Sequence, residues 1–250
     1  MFTIAVSPCS NPEMTLDEAL AAYAELGYRR FEVFTGWAKS AANPLDAPQS
    51  YLDLAARHGF AYCCIHLPAL SDDLDGSIGE AARAARFGAA IGCRCAIVKA
   101  RTKQDFFAGT RRLLDEIEAL PIIPVVQNHK GTAITTLADY IEVLDRVADP
   151  RLKCLLEVGH FHSVGVSWRE GYDALAGRIA HVHIKDQVGG QSVPFGTGEI
   201  DLPGLFARLV ADGYDGDVVV EMEVKDRENT LKYLGDALDY IKRCARDLSE

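Results

Sequence analysis

The chain has 250 residues, 48% of them hydrophobic and 25% charged, a globular composition long enough to bury one large core. Its formal net charge of -10 and pI of about 5.2 argue against nucleic acid as a partner, because binding a phosphate backbone needs Lys and Arg to displace counterions. No stretch approaches the ~20 apolar residues of a membrane span, the opening Met-Phe-Thr-Ile-Ala-Val lacks the basic start of a signal peptide, and the seven Cys follow no disulfide framework, so the expectation is a cytoplasmic chain with free, mostly buried thiols and no membrane partner.

Short apolar runs predict strands near 2–6, 30–34, 61–66, 95–99, 122–127, 153–158, 179–184 and 217–222. Runs that lose the period-two alternation suit parallel strands covered by helices. Helix starts are marked by capping-box patterns at Thr15…Glu18, Ser77…Glu80 and Ser167…Glu170, with Thr102…Asp105 and Thr136…Asp139 as near variants. Helix ends are marked by Gly27-Tyr28, Gly59-Phe60, Gly92-Cys93 and Gly213-Tyr214, each just before a predicted strand. Repeated βα units in this length predict a (β/α)8 TIM barrel, one domain over residues 1–250. An open sheet is the alternative, but no GxGxxG or Walker sequence follows any strand.

In such barrels function sits at the C-terminal ends of the strands. Those ends carry, in chain order, Glu32, His66, Lys99, Gln127-Asn128-His129, Glu157-Val-Gly-His160, His181, His183, Lys185-Asp186 and Glu221-Met-Glu223. Ionisable groups are almost never buried unpaired, so this many in one place points to a cation that compensates carboxylates and imidazoles together. Mixed O and N donors suit Mn²⁺, Mg²⁺, Fe²⁺, Co²⁺ or Zn²⁺. Plainer readings stand beside this one: His183 as a core histidine, Glu221 as the ion-pair partner of a mouth Lys, Glu157 as the partner of Lys185 or Lys99. His181 either faces the helices or, by period two with His183, sits deeper in the barrel. Phe34, Trp37 and Phe161 read as an apolar wall for a sugar ring or as core. Asp72-Asp73…Asp75 reads as a solvated loop, Gly196 and Gly198 as a loop that closes over substrate, and Arg101 as the best single anchor for a phosphate ester.

Several segments resemble the xylose-isomerase-like TIM barrels, also labelled sugar phosphate isomerases/epimerases. They are Gly-Tyr-Arg-Arg-Phe-Glu-Val-Phe (27–34), Cys-Ile-His-Leu-Pro (64–68), Val-Gly-His (158–160), His-Val-His-Ile-Lys-Asp (181–186), Phe-Gly-Thr-Gly-Glu-Ile-Asp (195–201) and Gly-Tyr-Asp-Gly-Asp-Val-Val-Val-Glu (213–221). The resemblance implies a divalent metal held by Gln127, Glu157, His183 and Glu221. Two of these depart from the family pattern: Glu157 stands for an Asp, and Gln127 stands for a Glu that serves the epimerases as one of two opposed bases. An amide oxygen still binds a hard cation but moves no proton. The implied function is a metal-dependent isomerase or epimerase acting on a small sugar, keto-sugar or related hydroxy-carbonyl compound through an enediolate. Glu221 is then the preferred base, with Glu157 and His160 beside it, and Glu32, His66, Lys99, His129 and Lys185 are the substrate contacts. The lost glutamate motivates two alternatives, a lyase or dehydratase on a keto-sugar or cyclic polyol, and a non-catalytic sugar- or partner-binding barrel. Barrels of this type form dimers or tetramers.

Overall fold

The computed structural model describes residues 2–247. In chain order its elements are β1 (Thr3–Val6), α1 (Leu16–Leu26), β2 (Arg30–Val33), α2 (Pro48–His58), β3 (Ala61–His66), α3 (Leu74–Ala90), β4 (Cys95–Val98), α4 (Lys103–Glu116), β5 (Ile123–Gln127), α5 (Leu137–Val147) and β6 (Lys153–Glu157). There follow α6 (Val158–His162), α7 (Trp168–Leu175), β7 (Ile179–Ile184), the short β8 (Asp186–Val188) and β9 (Gln191–Val193), α8 (Leu202–Ala211), β10 (Asp217–Val220) and α9 (Thr230–Asp247). No helix among the described residues is long and apolar enough to cross a membrane.

The helices begin and end largely where their local chemistry dictates. Thr15, Thr102, Thr136 and Ser167 each accept a backbone hydrogen bond from the residue three ahead, whose carboxylate reaches back to the cap. Gly27 and Gly59 close α1 and α2 in the left-handed conformation, with φ of 98° and 70°. Ser77…Glu80 is not a helix start. The helix α3 begins one turn earlier, at Leu74, because the Asp73 carboxylate accepts from Gly76 N at 3.2 Å and caps it. The acidic run read as a loop is therefore a cap and a first turn, where negative charge meets the positive end of the helix dipole.

Eight strands close into a parallel barrel in the order β1-β10-β7-β6-β5-β4-β3-β2. Its interior is a small plug that includes Ala5, Cys64, Cys95, Ile97, Val125, Leu155 and Val219, and the larger apolar core lies between strands and helices. Six of the seven cysteines are buried, and none of the seven is in a disulfide. The pair β8–β9 is an antiparallel hairpin turned by Gly189-Gly190, both at positive φ. It lies outside the barrel sheet and was not anticipated from the sequence.

Closure joins the first strand to the last, with Thr3 opposite Asp217. Asp217 is buried beneath the barrel and accepts from Thr3 Oγ1 at 2.6 Å and from Arg30 Nη2 at 3.0 Å, so one carboxylate ties β10, β1 and β2 together. Removing one partner of such a pair leaves the other without compensation. Asp217→Ala is therefore expected to lower stability by about 2–3 kcal/mol, discounted from the fully buried case because Arg30 is partly exposed, as measured by urea denaturation followed by circular dichroism. A loss below about 0.5 kcal/mol would show that backbone pairing alone closes the barrel.

Candidate functional site

Strand register assembles the site. Glu157 stands opposite His183 in the β6–β7 ladder, and Val219 of β10 flanks His183 on the other side. Side chains two apart share a face. Leu155 with Glu157, His181 with His183, and Val219 with Glu221 therefore enter the barrel in layers, with apolar groups below and ionisable groups at the mouth. Glu221 follows directly on β10, its N–H bonded to Ile184 O at 2.9 Å, which brings it beside Lys185.

The fully buried His183 is the centre of the cluster. Its Nδ1 lies 3.2 Å from Glu221 Oε1, 3.4 Å from Glu157 Oε2 and 3.5 Å from the Gln127 amide nitrogen. Its Nε2 lies 2.8 Å from Glu32 Oε1. Glu32 thus takes up one ring nitrogen and aims the other at Glu157 and Glu221, the way a carboxylate fixes a metal-ligating imidazole. The same Glu32 oxygen is 3.1 Å from His66 Nε2 and 3.5 Å from His181 Nε2. Glu32 is 0% exposed and does not line the cavity, so its expected contact with substrate is corrected to a place beneath three imidazoles. His181 is the deeper member of the His pair, inside the barrel and not toward the helices.

Charge is held here against burial. Desolvation would raise the Glu32 carboxyl, but His183 and His66 hold it well below the usual range. Glu157 is held at about 2 by Lys185 and His183 despite the same penalty, and Glu221 is lowered chiefly by Lys185. Burial disfavours the charged His183 ring, yet Glu32 and Glu221 keep it protonated. Lys185 is buried with its ammonium 2.6 Å from Glu221 and 2.7 Å from Glu223, and these two with Glu157 retain its proton. Its stem lies on Gly159, where a Cβ would come within 2.2 Å of Lys185 Cγ. Lys185 borders the cavity, but its charge is committed to Glu221 and Glu223 and not left open for substrate. For the two outer imidazoles desolvation wins: His66 is pushed to about 4 and His160 to about 3, so both are neutral rings.

The donor set fits a divalent cation. Glu157 Oε1 accepts from Gly159 N at 2.9 Å, but Oε2 is buried with no hydrogen-bond partner among the described residues. Ligand atoms of Glu157, His183 and Glu221 all lie within 4.8 Å of one another. A half-turn of the Gln127 amide adds a neutral oxygen. An orphaned carboxylate oxygen converging with a second carboxylate and an imidazole is what a borderline or hard cation needs.

The cavity above these groups measures about 810 Å³. Gln127, His160, Lys185 and Glu221 form one wall, and Phe34, Trp37, His66 and Lys99 form the other. His129 stands on the rim against His160, ring centroids 3.8 Å apart. Phe161 lies in the core and Arg101 is exposed outside the lining, so neither builds the wall or a phosphate anchor. Gly196 and Gly198 do not close over the cavity. Their N–H groups donate to the buried Asp186 carboxylate at 2.9 Å each, and a Cβ on Gly198 would lie 2.0 Å from it.

Sequence reading gave no role to two contributors, Asn128 just after β5 and Cys9 after β1. Asn128 donates to Glu157 O at 2.9 Å and accepts from Glu157 N at 3.1 Å, clamping the end of β6 to β5. An amide side chain carries both the donor and the acceptor that this clamp uses. Cys9, grouped with the buried thiols, lines the cavity close to Glu221 and Glu223. Its place just after β1 was the available signal.

The family model described as "xylose isomerase-like TIM barrel" matches residues 20–244. Inosose dehydratase from Mesomycoplasma hyopneumoniae is 30% identical over 141 residues, 47% of this chain and 46% of that protein. L-ribulose-5-phosphate 3-epimerase UlaE from Salmonella paratyphi C is 38% identical over 68 residues, 26% of this chain and 24% of that protein. The matches thus span less than half the length of these curated relatives. Among solved structures, the IolI protein with a bound zinc atom superposes with a TM-score of 0.77 over 99% of both chains at 16% identity, a likeness of fold. With the barrel, the mouth cluster and this match over most of its length, the chain belongs to the xylose isomerase-like TIM barrel family.

Proposed function

We propose that this protein is a divalent-metal-dependent isomerase or epimerase of a small keto-sugar or related α-hydroxy ketone, with Glu157, His183, Glu221 and Gln127 as the metal ligands. The observation that carries this reading is the unpartnered Glu157 oxygen converging with His183 Nδ1 and Glu221 Oε1. A cation bound there would polarise a substrate carbonyl and ease removal of the neighbouring proton. Glu221, at the edge of the cavity, is the base that takes that proton. Glu32 and Lys185 do not meet substrate in this reading: Glu32 holds the His183 ring and Lys185 holds Glu221. The neutral rings of His66 and His160 offer hydrogen bonds to substrate hydroxyls from opposite walls, and His129 does so from the rim. A dehydratase is the second reading, favoured by Gln127, which moves no proton, and by the similarity to an inosose dehydratase.

Incubation in D₂O with Mn²⁺ and a panel of inosose, D-allulose, D-tagatose and L-ribulose 5-phosphate separates these readings. Isomerisation or epimerisation places deuterium beside the carbonyl with no loss of mass otherwise, whereas dehydration loses water. Glu221→Gln is expected to slow turnover by ~10²–10⁴-fold, as for removal of a general base. Undiminished turnover in that variant, or no change in any panel compound, contradicts the proposal.

Trp37 supplies a second check. It is 72% exposed at the cavity rim, in a left-handed conformation (φ 71°) that a non-glycine residue rarely adopts, with its ring 5.7 Å from that of Phe34. Stacking on a sugar ring fits this placement. Aromatic contacts of this kind contribute ~0.5–1.5 kcal/mol, so Trp37→Ala is expected to raise KM about 3–10-fold and leave kcat nearly unchanged. The other tryptophan, Trp168, is buried, so a change in tryptophan emission on ketose binding reports Trp37. A KM equal to wild type removes the stacking role.

A further inference from the structure

The loss of a base at Gln127 raises the question of what faces Glu221 across the substrate. We propose that Lys99 is the second proton-transfer group of this site, paired with Glu221 from the opposite wall of the barrel. This rests on the proton-transfer reading above.

The first support is topology. In the closed order, β4 lies four strands from β10 in either direction, so it is diametrically opposite. Lys99 follows directly on β4 and Glu221 on β10, and both line the same cavity. The inward period of Cys95 and Ile97 carries on to Lys99. Its backbone is pinned, since Lys99 O accepts from Leu70 N at 2.8 Å. His160, by contrast, follows β6, two strands from β10, and stands on the same side as Glu221. His66 is engaged by Glu32.

The second support is the state of the amine. Lys185 makes two short ion pairs, but the Lys99 amine has no hydrogen bond or ion pair among the described residues. The groups that act on it electrostatically are Glu32 on β2 and Cys64 and His66 on β3, while Gln127 at the end of β5 and His129 just after it line the same cavity. Glu32 and Cys64 favour its charge, but desolvation outweighs them and pushes the amine down to about 8. An amine in that range both gives and takes a proton near neutrality, which a fully paired lysine does not.

In the step itself, Glu221 removes the proton from the carbon beside the carbonyl. The C–H bonding pair moves into the C–C bond, and the carbonyl π pair goes to oxygen. Lys99 ammonium then delivers its proton to the other face of that carbon and re-forms a C–H bond as the carbonyl returns. Glu221 is left protonated and Lys99 neutral. One proton exchanged through solvent restores both, and the reverse reaction uses them in exchanged roles.

Competitive acetylation of the intact wild-type protein with acetic anhydride, read at Lys99 by peptide mass spectrometry between pH 6 and 11, tests the amine without any metal or substrate. Lys99 labelling is expected to reach half-maximum near pH 8, well below the ~10.4 of an ordinary lysine. The Lys99→Met variant, with the panel ketose that takes up deuterium fastest in the wild type, then tests the role. It should still exchange the substrate's hydrogen for deuterium through Glu221, while epimer formation falls by ~10²–10⁴-fold. A labelling midpoint near 10.4, or epimer formed by Lys99→Met within threefold of the wild-type rate, overturns the pairing alone. Failure of every panel ketose with the wild type overturns the preceding functional reading and the pairing with it.

Discussion

The hydrogen bond between His183 Nε2 and Glu32 Oε1 is the interaction on which the mouth of this barrel depends. An imidazole has two nitrogens, and tying one down decides what the other does. With Nε2 turned to Glu32, Nδ1 has to face Glu157 and Glu221. Without that tie, two buried carboxylates would meet across His183 with no fixed donor between them. Glu32 serves this purpose because it is dry: a solvated carboxylate would be screened and would not hold a ring in place. His66 and His181 close around the same carboxylate oxygen, at 3.1 and 3.5 Å.

The rest of the centre is an arrangement of compensation. Glu32, Glu157 and Glu221 are buried carboxylates, while Lys185 and His183 are the buried cations among them. Glu223 adds a further acid on the cavity side. The excess is negative, and Glu157, like Glu32, leaves one buried oxygen without a donor among the described residues. A divalent cation completes this charge balance more naturally than another side chain, since the backbone around Gly159 and Asn128 leaves Glu157 little freedom to turn away. The proposed ligands come from four contiguous strands, β5, β6, β7 and β10, and so occupy one half of the mouth. The opposite half, from β2 to β4, supplies aromatic surface and Lys99, whose amine, unlike that of Lys185, has no ion pair among the described residues. Substrate held between the halves would meet polarising charge on one side and a proton carrier on the other.

Much of this was legible in the chain. Seven of the eight barrel strands lie within about one residue of their predicted limits at the C-terminal end, because a parallel strand under helices shows as a bounded apolar run. Of the strand-end residues gathered by the barrel rule, His66, Lys99, Gln127, His129, His160, Lys185, Glu221 and Glu223 line the mouth cavity. Two kinds of information were not legible. The first is which of several lysines pairs with which acid: Lys185 and Lys99 look alike in sequence, and only the strand register puts one beside Glu221 and the other across from it. The second is depth. Glu32 and His66 were both read as strand-end residues, yet Glu32, which stands where β2 shifts register against β3, lies outside the cavity lining and His66 within it. The hairpin after β7 was missed for a related reason, since its strands are three residues each and lack an apolar run.

Titration of the metal-free protein with Co²⁺, followed by its visible absorption, tests most directly whether the oriented His183 builds a metal centre without a glutamate at position 127. One ion per chain is expected, with binding lost in His183→Ala and weakened ~10–100-fold in Glu32→Gln, where the ring loses its anchor. Equal binding by wild type and His183→Ala, or no binding by the wild type, would contradict it.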